Sequence, residues 1–303
     1  MSEPIYDART FWELLERRVS ASPDRAFLIQ GDRTVTFGEA KERAERVAAG
    51  FAAMDIGEGT PVTWVLPTRI ETVVASLALS RLGAVQNPII HIYRDREVGF
   101  CIRQTAAEFV LTPGEWGGFD YQAMAERVTT DLDRPPTILD VSAGLPEGDP
   151  SMLSAVPATP DDGEDLIRWI YYTSGTTSDP KGVLHTDASL MAGGVGLAMA
   201  LDMQPDDVGS IAFPYAHIGG PDYLVCLLAN GFPAVLLEKF DLMVAIDEFR
   251  RHGVTMAGGT TVFYTMFLGV QRQQPDEPII PTLRMLSGGG APKPPEVFFE
   301  VQA

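Results

Sequence analysis

The chain has 303 residues, 45% hydrophobic and 21% charged, with a formal net charge of −18 at pH 7. That length carries one large domain or two ordinary ones with a sizeable core, and the balance excludes disordered and fibrous classes. So acidic a surface repels nucleic acid and anionic membranes, while leaving room for a small anion held by a few local donors.

In chain order, Thr10 is placed to cap a helix whose apolar face is Phe11, Leu14, Leu15 and Val19. A strand AFLIQ, a turn GDR and a strand TVTF follow. Phe37, Ala40, Ala44, Val47, Ala48 and Phe51 recur at helical spacing, predicting a helix of about four turns. Gly57 ends it, and PVTWVL reads as a buried strand. A helix from about Ile70 to Leu82, stopped by Gly83, precedes the strand AVQNPI. A helix near Arg96 to Thr105 precedes the strand EFVLT. Asp133 to Asp165, rich in carboxylates and prolines, reads as a solvated acidic connector.

Beyond it, LIRWIYYT is a strand, YYTSGTTSDPKGVLHT runs through a turn, and DASLMAGGVGLAMAL is a helix. VGSIAFP and PAVLLE are strands separated by the helix PDYLVCLLANG. The helix LMVAIDEFRRHG leads to the strand VTMAGG, then to TTVFYTMFLGV and the strand LRMLSGGGAP. PPEVFFEVQA begins a helix. Strands alternating with helices imply crossover units and a mostly parallel sheet with helices on both faces.

Cys101 and Cys226 lie in apolar settings far apart in sequence, which suits a reducing compartment and argues against a disulfide framework or a zinc site. No metal ligands are expected. The N-terminus MSEPIYDARTFWELLERR lacks the basic start and apolar core of a signal peptide. The apolar run from Tyr223 to Leu237, broken by Asn230, Gly231 and Pro233, is too short and interrupted to span a bilayer. The expected location is the cytoplasm.

The stretch from Tyr171 to Thr186 crowds Ser174, Thr176, Thr177 and Ser178 among two glycines, a proline and Lys181, directly after an apolar strand. Such a turn lets backbone amides and hydroxyls approach a ligand closely, and an ammonium group complements phosphate charge. Gly175 and Gly182 permit backbone angles that a side chain forbids, and Pro180 stiffens the loop before Lys181. The turn reads as a phosphate cradle. It is not a Walker loop, because Lys181 is followed by Gly182 and Val183 rather than by Ser or Thr opening a helix. A serine hydrolase using Ser174 and His217 lacks Gly-x-Ser-x-Gly and a third member.

YYTSGTTSDPKGV resembles the phosphate-binding signature of the adenylate-forming (AMP-binding) superfamily, which includes acyl-CoA synthetases, luciferases and peptide-synthetase adenylation domains. TFGEAKERAERVAAGF and VLPTRIETVVASLALSRLGAVQNPI resemble its early helix and the Gly-Ala-Val stretch. FPYAHIGG is similar to its Pro-x-x-His-x-x-Gly signature, and LRMLSGGGAPKPPEV to the Gly-Gly-Ala-Pro segment beside the adenine. The resemblance covers about Thr10 to Val301, with acyl-CoA synthetases nearest.

By that resemblance Thr173, Ser174, Gly175, Thr176, Thr177 and Lys181 would embrace the β- and γ-phosphates of ATP. Mg2+ would bridge phosphate oxygens while a carboxylate attacks the α-phosphorus. His217 would lie near the carboxylate and acyl pocket, and Gly289, Gly290, Ala291 and Pro292 would pass along the adenine. Tyr215, Phe263 and Tyr264 are candidates for the acyl wall or plain core; His91, His185 and His252 read as structural or exposed. The implied activity is ATP-dependent conversion of a carboxylic acid to an acyl-adenylate and then a CoA thioester. A medium-chain, alicyclic or aromatic acid is expected.

Two residues depart from the pattern: Ser178 replaces a usual glycine, and Asp187 replaces a frequent histidine and is read as helping to start the helix. The family's aromatic-Gly-x-Thr-Glu motif, ribose-binding aspartate and C-terminal lid have no counterpart before Ala303, and the CoA site would lie mostly there. The expectation is therefore an incomplete N-terminal portion, inactive alone and prone to self-association through exposed apolar surface. A non-catalytic acyl- or nucleotide-binding module is the alternative. The implied fold is α/β: two stacked, mostly parallel sheets with helices on both faces. Residues 10–303 would form one domain, with 10–57 plus 213–303 enclosing 60–210.

Overall fold

The computed structural model describes residues 3–159, 166–173, 180–289 and 294–302. Helix α1 (Phe11–Ala21) starts at Thr10, whose hydroxyl accepts the Glu13 amide, and buries Phe11, Trp12, Leu14 and Leu15. Strands β1 (Ala26–Gln30) and β2 (Arg33–Thr36) form a hairpin. Thr36 and Glu39 then cap α2 (Phe37–Ala52) reciprocally.

The alternation continues through β3 (Pro61–Trp64), α3 (Ile70–Leu82), β4 (Val85–Pro88), α4 (Asp95–Thr105) and β5 (Phe109–Thr112). A two-strand hairpin, β6 (Glu115–Trp116) and β7 (Phe119–Asp120), precedes α5 (Tyr121–Thr129) and β8 (Thr137–Asp140). Next come β9 (Trp169–Thr173), β10 (Lys181–His185), α6 (Asp187–Ala200), β11 (Gly209–Ile211), α7 (Gly219–Asn230) and β12 (Ala234–Leu236). The last elements are α8 (Leu242–His252), β13 (Met256–Gly259), α9 (Thr261–Gln271), β14 (Met285–Gly288) and α10 (Pro295–Gln302).

Two main sheets result, ordered β11-β12-β1-β2 and β10-β9-β4-β3-β5-β8. Each is parallel except at one edge, where β2 runs antiparallel to β1 and β10 antiparallel to β9. Alternation along the strands assigns the layers. Ala234 and Leu236 of β12, and Phe109 and Leu111 of β5, point into one shared core together with α1, α2, α3, α6 and α7. Val235 faces the other way, onto α8 and α9, and Val110 faces α4 and α5. The stack is thus helix, sheet, helix, sheet, helix. Helices α3 and α7 are buried nearly all round because a sheet lies on each side of them.

Among the described residues that shared layer contains one fully buried cation. Arg18 donates from Nε to the Leu228 carbonyl and from Nη2 to the Ala229 carbonyl, both at 2.6 Å, capping the end of α7. Burial lowers its pKa to about 10, so it stays charged at neutral pH.

The acidic stretch is not wholly a connector. Thr137–Asp140 is the edge strand β8, because Ile138 packs towards α4 and α5 while Leu139 packs into the shared core. Farther on, the Gly148 amide donates to the Arg46 carbonyl at 2.8 Å, holding the chain against α2. A parallel pair, β13–β14, is tied to the larger assembly through the Thr255 and Met256 amides, which donate to the Val208 carbonyl. No helix among the described residues is long and apolar enough to cross a membrane.

Candidate functional site

Strand β9 ends at Thr173 and β10 starts at Lys181, and these two residues are direct cross-strand partners. Both ends of the intervening segment therefore meet at one end of the six-stranded sheet. That segment, with Ser174, Gly175, Thr176, Thr177 and Ser178, lies outside the described residues. Lys181 belongs to the strand rather than to the turn and is exposed.

Beside Thr173 opens a cleft of about 110 Å³, lined by the end of β4 and its continuation (Pro88, Ile89, Ile90), Tyr171 to Thr173, and Ala216 to Ile218. Val183 and His185 of β10, with Tyr93 and Cys101, complete its walls. Thr173 and His217 thus share one cavity, while Lys181 stands outside its lining. The Cys101 thiol is pushed up to about 12, chiefly by burial, and is no nucleophile at neutral pH.

His217 is set by backbone geometry. Its amide donates to the Pro214 carbonyl at 2.9 Å, and its own carbonyl accepts the Gly220 amide at 2.7 Å. Its Nδ1 accepts the Gly219 amide at 3.1 Å, which leaves the proton of the neutral ring on Nε2. The ring is exposed on one side, but the packed wall on the other lowers its pKa through desolvation, favouring that neutral donor form. Thr68 braces the whole turn: its hydroxyl donates to the Phe213 carbonyl at 3.0 Å and accepts the Tyr215 amide at 2.9 Å. Gly220 is obligatory here, because a Cβ on it would sit 1.9 Å from the Tyr215 carbonyl oxygen.

Gly289 follows β14 and is exposed; Gly290, Ala291 and Pro292 lie outside the described residues. The end of β14 is tightly packed, since a Cβ on Gly288 would meet the Gly259 carbonyl oxygen at 2.3 Å. Neither Gly289 nor the aromatics Tyr215, Phe263 and Tyr264 line the cleft. Tyr215 is buried and stacks on Trp64 at 6.1 Å, and Phe263 packs on Phe240 at 4.3 Å.

Asp187 does more than begin α6. Thr186 is the capping residue, and the Asp187 carboxylate accepts the Trp169 indole N–H at 2.8 Å and the Phe11 amide at 3.3 Å, joining α1 to β9. Burial raises its pKa. His91 packs edge-on against Trp116 at 4.8 Å, and His252 lies at the end of α8 near Glu248. His185, which no motif marks, lines the same cleft as His217. The available signal is its position four residues after Lys181 on a strand, which puts the two side chains on one face.

The AMP-binding enzyme family profile matches residues 15–303. Over 264 residues the chain is 31% identical to 4-coumarate–CoA ligase 5 of Oryza sativa subsp. japonica, covering 84% of this chain and 47% of that protein. It is 28% identical over 280 residues to 2-succinylbenzoate–CoA ligase of Bacillus subtilis (strain 168), covering 92% of this chain and 54% of the relative. O-succinylbenzoate coenzyme A synthetase from Bacillus subtilis, solved in complex with ATP and magnesium ion, superposes with a TM-score of 0.77 at 26% identity. That superposition covers 95% of this chain and 57% of the other. The chain therefore spans about half the length of the curated relatives it matches. A hydroxyl-rich sequence begun and ended by paired strands, a histidine-bearing turn beside Thr173 and two sheets around a shared helical layer accord with that match: the chain belongs to the AMP-binding enzyme family.

Proposed function

We propose that this chain provides the nucleotide- and acid-binding lobe of an ATP-dependent acyl- or aryl-CoA ligase. The observation that carries this reading is the single cavity shared by Thr173, at the entry to the phosphate-cradle sequence, and His217, on the Pro214-to-Gly220 turn. Thr173, Lys181 and the hydroxyls from Ser174 to Thr177 hold the ATP phosphates, and Gly289 to Pro292 run along the adenine. Magnesium would arrive with the nucleotide and would supply positive charge against its phosphates. The Nε2–H of neutral His217 donates to the incoming carboxylate and adds no positive charge to the site. The apolar walls from Pro88 to Ile90 favour a medium-chain, alicyclic or aromatic acid over acetate. Calorimetric titration with ATP–magnesium, followed by a panel of carboxylic acids, tests this. Saturable nucleotide binding that tightens acid binding is the expected result; a chain that ignores ATP–magnesium sinks the reading.

A further inference from the structure

Arg69 and Trp116 belong to segments that follow β3 and β5 of the six-stranded sheet. Both donate to one oxygen, Oε1 of Glu238, which follows β12 of the four-stranded sheet: Arg69 from Nη2 at 2.5 Å, Trp116 from its indole N–H. Burial alone would raise the Glu238 pKa, yet these hydrogen bonds hold the carboxyl below its usual value, so it is charged at neutral pH. Contacts run from this carboxylate to two segments of the cleft lining. Towards the first, the Trp116 ring meets His91 edge-on at 4.8 Å, and His91 stands between the lining residues Ile90 and Tyr93. The Tyr121 hydroxyl supports the same segment by donating to the His91 carbonyl at 2.8 Å. Towards the second, Thr68, next to Arg69 in the chain, bridges the Phe213 carbonyl and the Tyr215 amide, directly before the lining residues Ala216 to Ile218. The Leu237 amide, beside Glu238, donates to the Ile211 carbonyl at 3.1 Å, at the root of that turn.

We propose that Glu238 is a positioning residue of the cleft, a strap between the two sheets that sets the separation of the lining segments 89–93 and 216–218, and so the width of acid admitted. Neither Glu238 nor Trp116 lines the cleft, so the effect travels through the indole on one side and through the β3–α3 turn on the other. Each sheet is stiff along its own backbone ladder, and a tie between strand ends holds one sheet against the other. One charged oxygen shared by two donors has few positions that satisfy both. Its removal leaves a guanidinium and an indole N–H to find new acceptors, and the two lining segments lose their common anchor. This assignment rests on the reading that the cleft receives a carboxylic acid, and it adds which residue fixes the width of that acid.

Amide hydrogen exchange, followed by NMR on the 303-residue chain with the α2 amides as the measure of global unfolding, tests the strap. The Ile89 and Tyr93 amides, bonded to the Trp64 and Ile90 carbonyls, report on the first segment, and the Tyr215 and His217 amides on the second. Glu238→Ala should speed exchange in both segments about tenfold or more relative to α2. Glu238→Gln, which keeps the accepting oxygen, should restore part of the protection. Trp116→Phe should speed the first segment alone and add nothing in the Glu238→Ala background, because both substitutions cut the same tie. If Glu238→Ala leaves either segment at its wild-type rate, or if the two substitutions add, the assignment is overturned. Should Glu238→Ala not fold, Trp116→Phe decides: it must loosen the first segment and spare the second. Titration with benzoate against 2-naphthoate reads the width, and the ratio of the two affinities should change about fivefold or more in Glu238→Ala. An acid-binding chain with an unchanged ratio overturns the assignment of width. A chain that binds neither acid nor ATP–magnesium, yet shows the coupled exchange, supports the strap and sinks the proposed function alone.

Discussion

Thr173 and Lys181 face each other across the β9–β10 pair, so the backbone ladder puts both side chains on one face at the same end of the sheet. Lys181 is exposed, and its removal leaves the core untouched. Lys181→Met should weaken ATP–magnesium binding by about tenfold or more, the cost of one charge-assisted contact, while stability changes by less than about 0.5 kcal/mol. Calorimetry and thermal melts on the same samples measure both. Unchanged nucleotide affinity would show that the ammonium group does not face the phosphates.

The turn bearing His217 offers a paired test. A Cβ on Gly220 would overlap the Tyr215 carbonyl oxygen, whereas the nearest neighbours of one on Gly219 are the rings of His217 and Phe213, at 3.4 Å, ordinary van der Waals contact. Gly220→Ala should therefore cost about 1–3 kcal/mol and displace the imidazole, and Gly219→Ala much less. Urea denaturation curves and the His217 ring resonances would report the contrast.

Asp222, in the first turn of α7, has its carboxyl pushed up to about 6 by burial. The native state thus holds this proton more tightly than the unfolded chain. Stability from this group is full below the ordinary carboxylate pKa and declines as pH rises to about 6. Asp222→Asn should stabilise the protein at pH 8 by on the order of 1–3 kcal/mol, and the gain should vanish near pH 4. Midpoints of urea unfolding across that range would decide it.

Asp207 behaves oppositely. Burial alone would raise its pKa, but hydrogen bonds from Arg284, the Thr255 hydroxyl and the Gln204 amide outweigh it and hold the carboxyl below its usual value. Its contribution is therefore present above the unfolded carboxylate pKa and is lost as pH falls through the lowered native one. Asp207→Ala should cost about 2–3 kcal/mol at pH 7 and remove that part of the acid sensitivity. Because Arg284 immediately precedes β14, the loss should appear first in amide exchange of the β13–β14 pair.

Much of the fold is written in local chemistry. The Thr36–Glu39 cap, the stop glycine Gly83 and the apolar spacing from Phe37 to Phe51 each announce an element that the structure contains. The helix expected to run to Gly57 instead ends at Ala52, where Ala53 and not a glycine caps it. The helix Tyr121–Thr129 carries comparable signals in Asp120, Met124 and Ala125, yet it follows a hairpin of two-residue strands that blurs its start. Strand β8 is harder to read, because only Ile138 and Leu139 are apolar and two prolines precede them. Its status comes from the neighbour β5, not from its own residues. His217 stands in a motif and could be named directly. His185 could not, since its place in the cleft wall arises from the pairing of β10 with β9.

Among the described residues strand β10 has a neighbour on one side only, and Val183 and Leu184 lie open to solvent. Behind it, β9 is wedged into the interior by Trp169. The outer strand is thus the more readily displaced of the two, and it is backed by a stiff one. Small displacements at that rim leave the centre of the protein its shape.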